Sequence, residues 1–177
     1  MKKIIALTLL VGALSASPVL APQLSQAQAQ TSGPTTRFSV GGLVSNTLVL
    51  TADRLKAYPP STINVQYFAG GAPTSHTFKG ALLWDILQAA GIVTDPSVSN
   101  GVLRRVVVVI GSDNYQAVFG AGELSPRFGG NQVIIAYEQD GQPLGDDGFA
   151  KLVSPVDIAG GRFVSNISSI IVRDSSR

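Results

Sequence analysis

The sequence predicts an α+β domain, mixed and strand-rich, with a few short helices. Three observations carry that prediction. Val106 to Ile110 is an unbroken β-branched run, the composition of a strand buried on both faces. Leu83, Ile86, Leu87 and Ala90 fall at i, i+3, i+4 and i+7, one face of a helix. Strands and helices elsewhere do not alternate as regular βαβ units, and no internal repeat is present.

Taken in order, Phe38 to Val44 and Thr47 to Leu50 read as short strands around a turn at Ser45-Asn46. Thr51 can N-cap a short helix from Ala52 to Ala57, with Asp53 near the positive end of its dipole. Pro59-Pro60 stops that helix. Ile63, Val65 and Tyr67 alternate with polar Asn64 and Gln66, the period of a half-buried strand that ends at Gly70-Gly71. A polar lead-in containing His76 precedes the clear helix, and Gly91 sits where a left-handed C-terminal glycine belongs. Val93 to Gly101 is a loop.

After the buried strand, Tyr115 to Phe119 reads as its antiparallel partner, Ala121 to Leu124 as a helical turn, and Pro126 to Asn131 as a loop. Gln132 to Glu138 is another central strand. Asp140-Gly141 is a hairpin signal, because a type I′ turn needs positive φ at both central positions. Leu152-Val153 and Ser169 to Val172 close the sheet.

The first 29 residues have the pattern of a secretory signal. Lys2 and Lys3 precede an uncharged apolar stretch, Ile4 to Ala16, too short for the roughly 20 residues that span a bilayer. Ala27-Gln28-Ala29 fits a cleavage site, with Ala21 as an earlier alternative. The expected division is residues 1–29 as signal, 30–37 as a disordered lead-in, and 38–177 as one domain. A periplasmic or secreted protein, not membrane-bound after cleavage, is the expectation.

The charge balance changes with that cleavage. The whole chain has 13 basic and 11 acidic side chains and a pI near 9.1. Loss of Lys2 and Lys3 leaves eleven of each, so the mature chain is neutral. No basic run remains to argue for nucleic acid. The chain has no cysteine, which excludes disulfides, thiolate catalysis and cysteine metal sites.

Several stretches, in order and spacing, resemble the oxidoreductase molybdopterin-binding domain of the sulfite oxidase family. They are the Gly80-to-Gly91 helix region, Asp113 with Tyr115, the Tyr137-to-Leu144 hairpin, and Gly148-Phe149 through Gly160-Gly161-Arg162. The resemblance covers roughly Leu48 to Val172 and implies that family's fold. In the family a cysteine thiolate ligates molybdenum at the end of the strand before the glycine turn. That place falls on Phe68, or on Tyr67 one residue earlier. The family's Asp-His-Gly-aromatic run is Asp146-Asp147-Gly148-Phe149 here, followed by Lys151 in place of an Arg. Its Pro-Gly corner is Pro155-Val156. Arg162 matches the Arg of the final motif, and Ser165 replaces the basic residue that approaches the cofactor.

By resemblance, Arg162, Asp113, Tyr115, Gly161 and Lys151 are the candidate cofactor-binding residues. Asp147 would repel a phosphate unless a cation intervenes. Arg162 suits an anion through its donor fork and the preceding glycines; pairing with Asp157 is the alternative. Asp113 and Tyr115 either orient a polar ligand or form an Asx-turn with a half-buried Tyr. His76, the only histidine, has no carboxylate near it in sequence and reads as a surface or turn residue. Asp140, Asp146 and Asp147 lack EF-hand spacing and read as solvated loop carboxylates. Trp84 reads as a packing residue on the helix.

No Gly-x-Ser-x-Gly elbow, GxGxxG turn or P-loop is present. No catalytic constellation and no metal site emerge. The expected function is an exported ligand-binding or interaction module that carries no cofactor. Its partner would be a small anionic or pterin-like ligand, or a periplasmic protein. The alternative is an oxidoreductase, or a subunit of one, that holds molybdopterin without a cysteine ligand.

Overall fold

The computed structural model describes residues 34–176, so the expected signal, its expected cleavage sites and residues 30–33 lie outside the described residues. Among the described residues, ten strands form two sheets. In the first, β2 (Leu48–Thr51), β1 (Arg37–Gly42), β10 (Ile167–Asp174), β5 (Arg105–Gly111) and β6 (Gln116–Gly120) lie side by side in that order. Only β1 and β10 run parallel; the other neighbours are antiparallel. In the second, β3 (Pro60–Ala69), β4 (Ala72–Leu82), β7 (Ile134–Gln139) and β8 (Gln142–Pro143) follow one another, and β9 (Lys151–Val153) also pairs with β7. Three short helices, α1 (Ala52–Lys56), α2 (Leu83–Ala90) and α3 (Ala121–Leu124), complete the α+β architecture expected from the sequence.

The main core lies between the sheets and α2. From β1 and β5 come Phe38, Val40, Val107 and Val109; from α2 come Leu83, Ile86 and Leu87; from β7 and β9 come Ile135 and Leu152. Complete burial of such a side chain contributes about 1.5–3 kcal/mol. A second, smaller cluster forms on the other face of the second sheet from Ile63, Val65, Tyr67, Phe78, Ile134, Ala136 and Val153, with Phe163 against it. The i, i+2 spacing of Ile63, Val65 and Tyr67 puts all three on one face of β3.

Three expectations change. Residues 72–82 are a strand, not a lead-in, and pair with β3 on one side and β7 on the other. Gly70 and Gly71, both at positive φ, close the two-residue hairpin that turns the chain back. Thr51 stands at the N-cap of α1, but its side chain makes no capping bond, because it is the last residue of β2. Finally, β5 is buried unevenly. Val107 and Val109 enter the core with no exposure, and on the other face Val108 is buried while Val106 and Ile110 beside it are half-buried.

Gly80 sets the shape of the second sheet. The β4–β7 register shifts between Lys79 and Gly80. A Cβ at Gly80 would lie 2.2 Å from the Ile135 carbonyl oxygen. The absent side chain lets the backbones cross closely at this bulge, so the β3–β4 hairpin folds over and carries its end toward the 157–165 loop.

Candidate functional site

Where the end of β3 meets the 157–165 loop there is a cleft of about 410 Å³, bordered by Tyr67, Phe68, Lys151, Gly160, Gly161 and Ser165. Successive side chains on a strand point to opposite faces. Tyr67 therefore turns inward, 8% exposed, with its ring 4.7 Å from that of Phe163. Phe68 turns outward and is half exposed, while its N–H donates to the Ile158 carbonyl at 2.8 Å. The two alternatives for the cysteine position thus differ in kind: one is a buried phenol and the other a surface ring.

Burial raises the Tyr67 pKa, and the negative charges of Asp147 and then Asp140 add to the effect. The phenol is a proton donor throughout the neutral range, and its hydroxyl forms no hydrogen bond with any described residue.

Beside it, three positions that depart from the family pattern lock together. Lys151 Nζ donates to Asp147 Oδ2 at 2.6 Å, and Ser165 Oγ donates to Asp147 Oδ1 at 2.6 Å. Burial pushes the Asp147 carboxyl up, but the bonds from Lys151 and Ser165 and the ammonium charge outweigh it, so its pKa lies below the usual value. The cation that the sequence reading required beside Asp147 is Lys151. Gly148 allows the arrangement: it has φ +82°, and a Cβ there would lie 2.3 Å from Asn166 Oδ1. The Lys151 ammonium also lies 5.9 Å from the centre of the Phe78 ring.

The other candidates stand behind the cleft as supports. Arg162 closes its fork on Asp157, with Nε to Oδ2 at 2.9 Å and Nη2 to Oδ1 at 2.5 Å. Its Nη1 reaches Glu123 Oε2 at 3.4 Å, and its guanidinium lies over the Phe119 ring at 4.2 Å. This arrangement ties the loop to α3. Tyr115 donates its hydroxyl to the Gly161 carbonyl at 2.5 Å. Asp113 Oδ1 accepts the Tyr115 N–H at 2.9 Å, an Asx-turn. Of the five residues named from resemblance, Lys151 and Gly161 line the cleft, and Arg162, Asp113 and Tyr115 hold its wall.

Sequence reasoning missed His76. It lies within β4, and its Nδ1 is 2.6 Å from Asp140 Oδ2 in the β7–β8 turn. The same carboxylate accepts the Thr77 N–H at 2.9 Å. The expected solvated carboxylate is therefore a bonded one, and the expected lone histidine has a partner. The signals were present separately, as a glycine pair that turns the chain back and as an Asp-Gly hairpin. Nothing local joined them. The His76 ring centre is 6.3 Å from that of Tyr67.

A molybdenum centre of the family kind does not fit this donor set. The chain has no thiolate, and neither a phenol nor a phenyl ring replaces that soft ligand. The two cations nearest the cleft are already committed, Arg162 to Asp157 and Lys151 to Asp147. Among the described residues, no three His, Cys, Asp or Glu side chains are grouped to hold a metal ion.

Comparison with known proteins gives the following. A family model described as the oxidoreductase molybdopterin binding domain matches residues 26–177. Among solved structures, the chain is similar to the crystal structure of the sulfane dehydrogenase SoxCD from Paracoccus pantotrophus, with 20% identity and a TM-score of 0.61. The match covers 78% of this chain and 38% of that one, so this chain spans well under half of that relative. At such identity the likeness is one of fold. No curated protein matches the chain.

Proposed function

The chain belongs to the oxidoreductase molybdopterin-binding domain family, and on that premise we propose that it is an exported ligand-binding or interaction module without molybdenum redox chemistry. The observation that carries this reading is the inward residue at the thiolate position. Tyr67 puts a protonated hydroxyl, without a partner among the described residues, beside the cleft. Lys151 adds an ammonium that spends one of its three donors on Asp147. The rings of Tyr67 and Phe163 provide an apolar wall.

Such a set suits a small planar ligand that brings hydrogen-bond acceptors, either anionic or pterin-like. An acceptor at Tyr67 would engage a donor that bonds no described residue, and this favours binding. The chain's own residues then bind and orient. Fold alone carries no activity. The signal-like first 29 residues support a site of action in the periplasm or outside the cell.

Native mass spectrometry and metal analysis of protein purified from the periplasm of a molybdenum-replete host test this reading. The expected result is no molybdenum, together with a small-molecule adduct that is lost in Tyr67→Phe. Stoichiometric molybdenum, with pterin fluorescence after denaturation, would overturn it in favour of a molybdopterin-dependent oxidoreductase or subunit.

A further inference from the structure

A cavity of about 710 Å³ lies at the far end of β10 from the Tyr67 cleft. Ser165 borders the cleft just before β10 begins, and Asp174, the last residue of β10, lines the cavity, roughly 25 Å along the strand. β1 makes the space by stopping early. Its last pair with β10 is Gly42 with Val172, so Arg173 and Asp174 continue without a β1 partner. Gly42, at φ +86°, leads the chain away, and a Cβ there would lie 2.2 Å from the Val172 carbonyl oxygen. Residues 93–101 form the facing wall. The Val93 N–H donates to the Leu43 carbonyl at 3.0 Å, and two bonds from Ser97 to Asp95 shape the turn beyond it.

The walls are aliphatic, from Leu43, Val98, Ile171 and Val172, and three guanidiniums, Arg104, Arg105 and Arg173, stand among them with two carboxylates, Asp95 and Asp174. Small-molecule sites combine such walls with a few placed polar groups in about 300–1,000 Å³. Arg105 is built into the site, its side chain 9% exposed. Its Nε donates to the Val93 carbonyl at 2.7 Å and its Nη1 donates to Asp174, which holds the guanidinium between loop and strand. Its Nη2 bonds no described residue. Arg104 and Arg173 are exposed and form no ion pair with a described residue. Bonds from Ser97 hold the Asp95 pKa below its usual value, and bonds from Ser176, with the charge of Arg105, hold that of Asp174 at about 2. Both carboxylates are therefore ionised and bonded at neutral pH, and the lining keeps one positive charge in excess.

We propose that this cavity binds a small organic monoanion, a carboxylate on a short apolar body. The open edge of Arg105, with Arg104 and Arg173, holds the carboxylate, and Leu43, Val98 and Ile171 receive the body. A buried guanidinium with an unused edge gains from a charged acceptor, and the fork of Arg matches a planar carboxylate. One positive charge in excess is balanced by one carboxylate. The aliphatic walls contribute only to a ligand that has apolar surface to bury, which inorganic phosphate lacks. The site shares no lining residue with the Tyr67 cleft.

Titration of the isotope-labelled protein with sodium hexanoate, followed by amide NMR shifts, tests the proposal. The expected result is saturable shifts at Gly42, Gly101 and Asp174, with a dissociation constant on the order of 1 mM. Two further probes separate the parts of the ligand: 1-hexanol lacks the charge and inorganic phosphate lacks the body, and each is expected to bind at least tenfold more weakly. Arg105 ties loop to strand, so its replacement endangers the fold. Arg104→Gln/Arg173→Gln changes exposed side chains instead and is expected to weaken hexanoate at least tenfold. Arg37→Gln/Lys79→Gln removes the same charge at positions outside the cavity lining and is expected to leave binding unchanged. An absence of saturable shifts at ten times the expected dissociation constant overturns the proposal. So does hexanol or phosphate binding as tightly as hexanoate, an unaffected Arg104→Gln/Arg173→Gln, or equal weakening in Arg37→Gln/Lys79→Gln. None of these outcomes depends on what the cleft binds.

Discussion

On the sheet built from β3, β4, β7 and β9 the polar side chains meet in pairs: His76 with Asp140, Lys151 with Asp147, Lys79 with Glu138. On the outer face of the other sheet, Val106, Val108, Ile110, Val118 and Ile171 lie with Ser39, Ser169 and Gln116 between Arg37 and Arg173, and no carboxylate is among them. The first sheet is thus a scaffold whose outer side carries aliphatic side chains and small or amide polar ones, without ion pairs. The second is bent at Gly80 so that its far side encloses aromatic rings and its margins carry polar groups. A half-enclosed polar group is costly unless it is bonded, and Lys151, Asp147 and Ser165 beside the cleft all are. The Tyr67 hydroxyl bonds no described residue, and an acceptor on a ligand has the most to add there.

The largest expected effect tests the bend itself. Gly80→Ala puts a Cβ 2.2 Å from the Ile135 carbonyl oxygen. Both atoms belong to paired backbone, so neither can yield cheaply. We expect a loss of about 3 kcal/mol, measured by urea denaturation. The matching change on the other sheet, Gly41→Ala, meets nothing closer than Thr47 Cγ2 at 3.9 Å and is expected to stay within about 0.5 kcal/mol. Equal costs at the two glycines would remove the distinction between a bent sheet and an open one.

Next comes the Asp147 bridge. Lys151→Met leaves a partly buried carboxylate with Ser165 as its remaining side-chain donor and is expected to cost about 2 kcal/mol at neutral pH. The pH dependence has a definite sign. The folded pKa of Asp147 is depressed by Lys151 and Ser165 despite burial. Its contribution is therefore complete above the unfolded value near 4 and is lost as pH falls through the lower folded value. Wild-type stability should decline over that acid range more steeply than that of Lys151→Met. Parallel curves from urea titrations below pH 5 would show that the bridge contributes nothing.

How far the sequence foretold this depends on whether a feature is local. The alternation of Ile63, Val65 and Tyr67, the face of α2, the left-handed Gly91 and the Asp140-Gly141 turn each depend on neighbours within a few residues, and each appears as read. β4 escaped because Ala72 to Thr77 is polar and lacks a strand-like pattern. It is a strand because it has partners on both sides. The His76–Asp140 contact joins residues 64 apart, which no local signal encodes. Asp147 and Lys151 are only four apart, yet they read as two separate losses from a family site. Their contact needs the positive φ of Gly148, and that turn is set by the loop packing of Asn166.

The smallest expected effect separates two tyrosines that look alike in sequence. Tyr115 donates its hydroxyl to the Gly161 carbonyl, so Tyr115→Phe removes a bond and should cost about 1 kcal/mol. Tyr67 has no such partner among the described residues, although it is much the more buried of the two. Tyr67→Phe therefore removes a hydroxyl that bonds no described residue. Stability should hold to within about 0.5 kcal/mol in ligand-free protein. Thermal unfolding of both variants, after removal of any bound small molecule, makes the comparison. A drop at Tyr67 as large as that at Tyr115 would mean that the protein itself satisfies the hydroxyl. The best reason to place a ligand at the thiolate position would then be gone, even with the fold and the Lys151–Asp147–Ser165 lock intact.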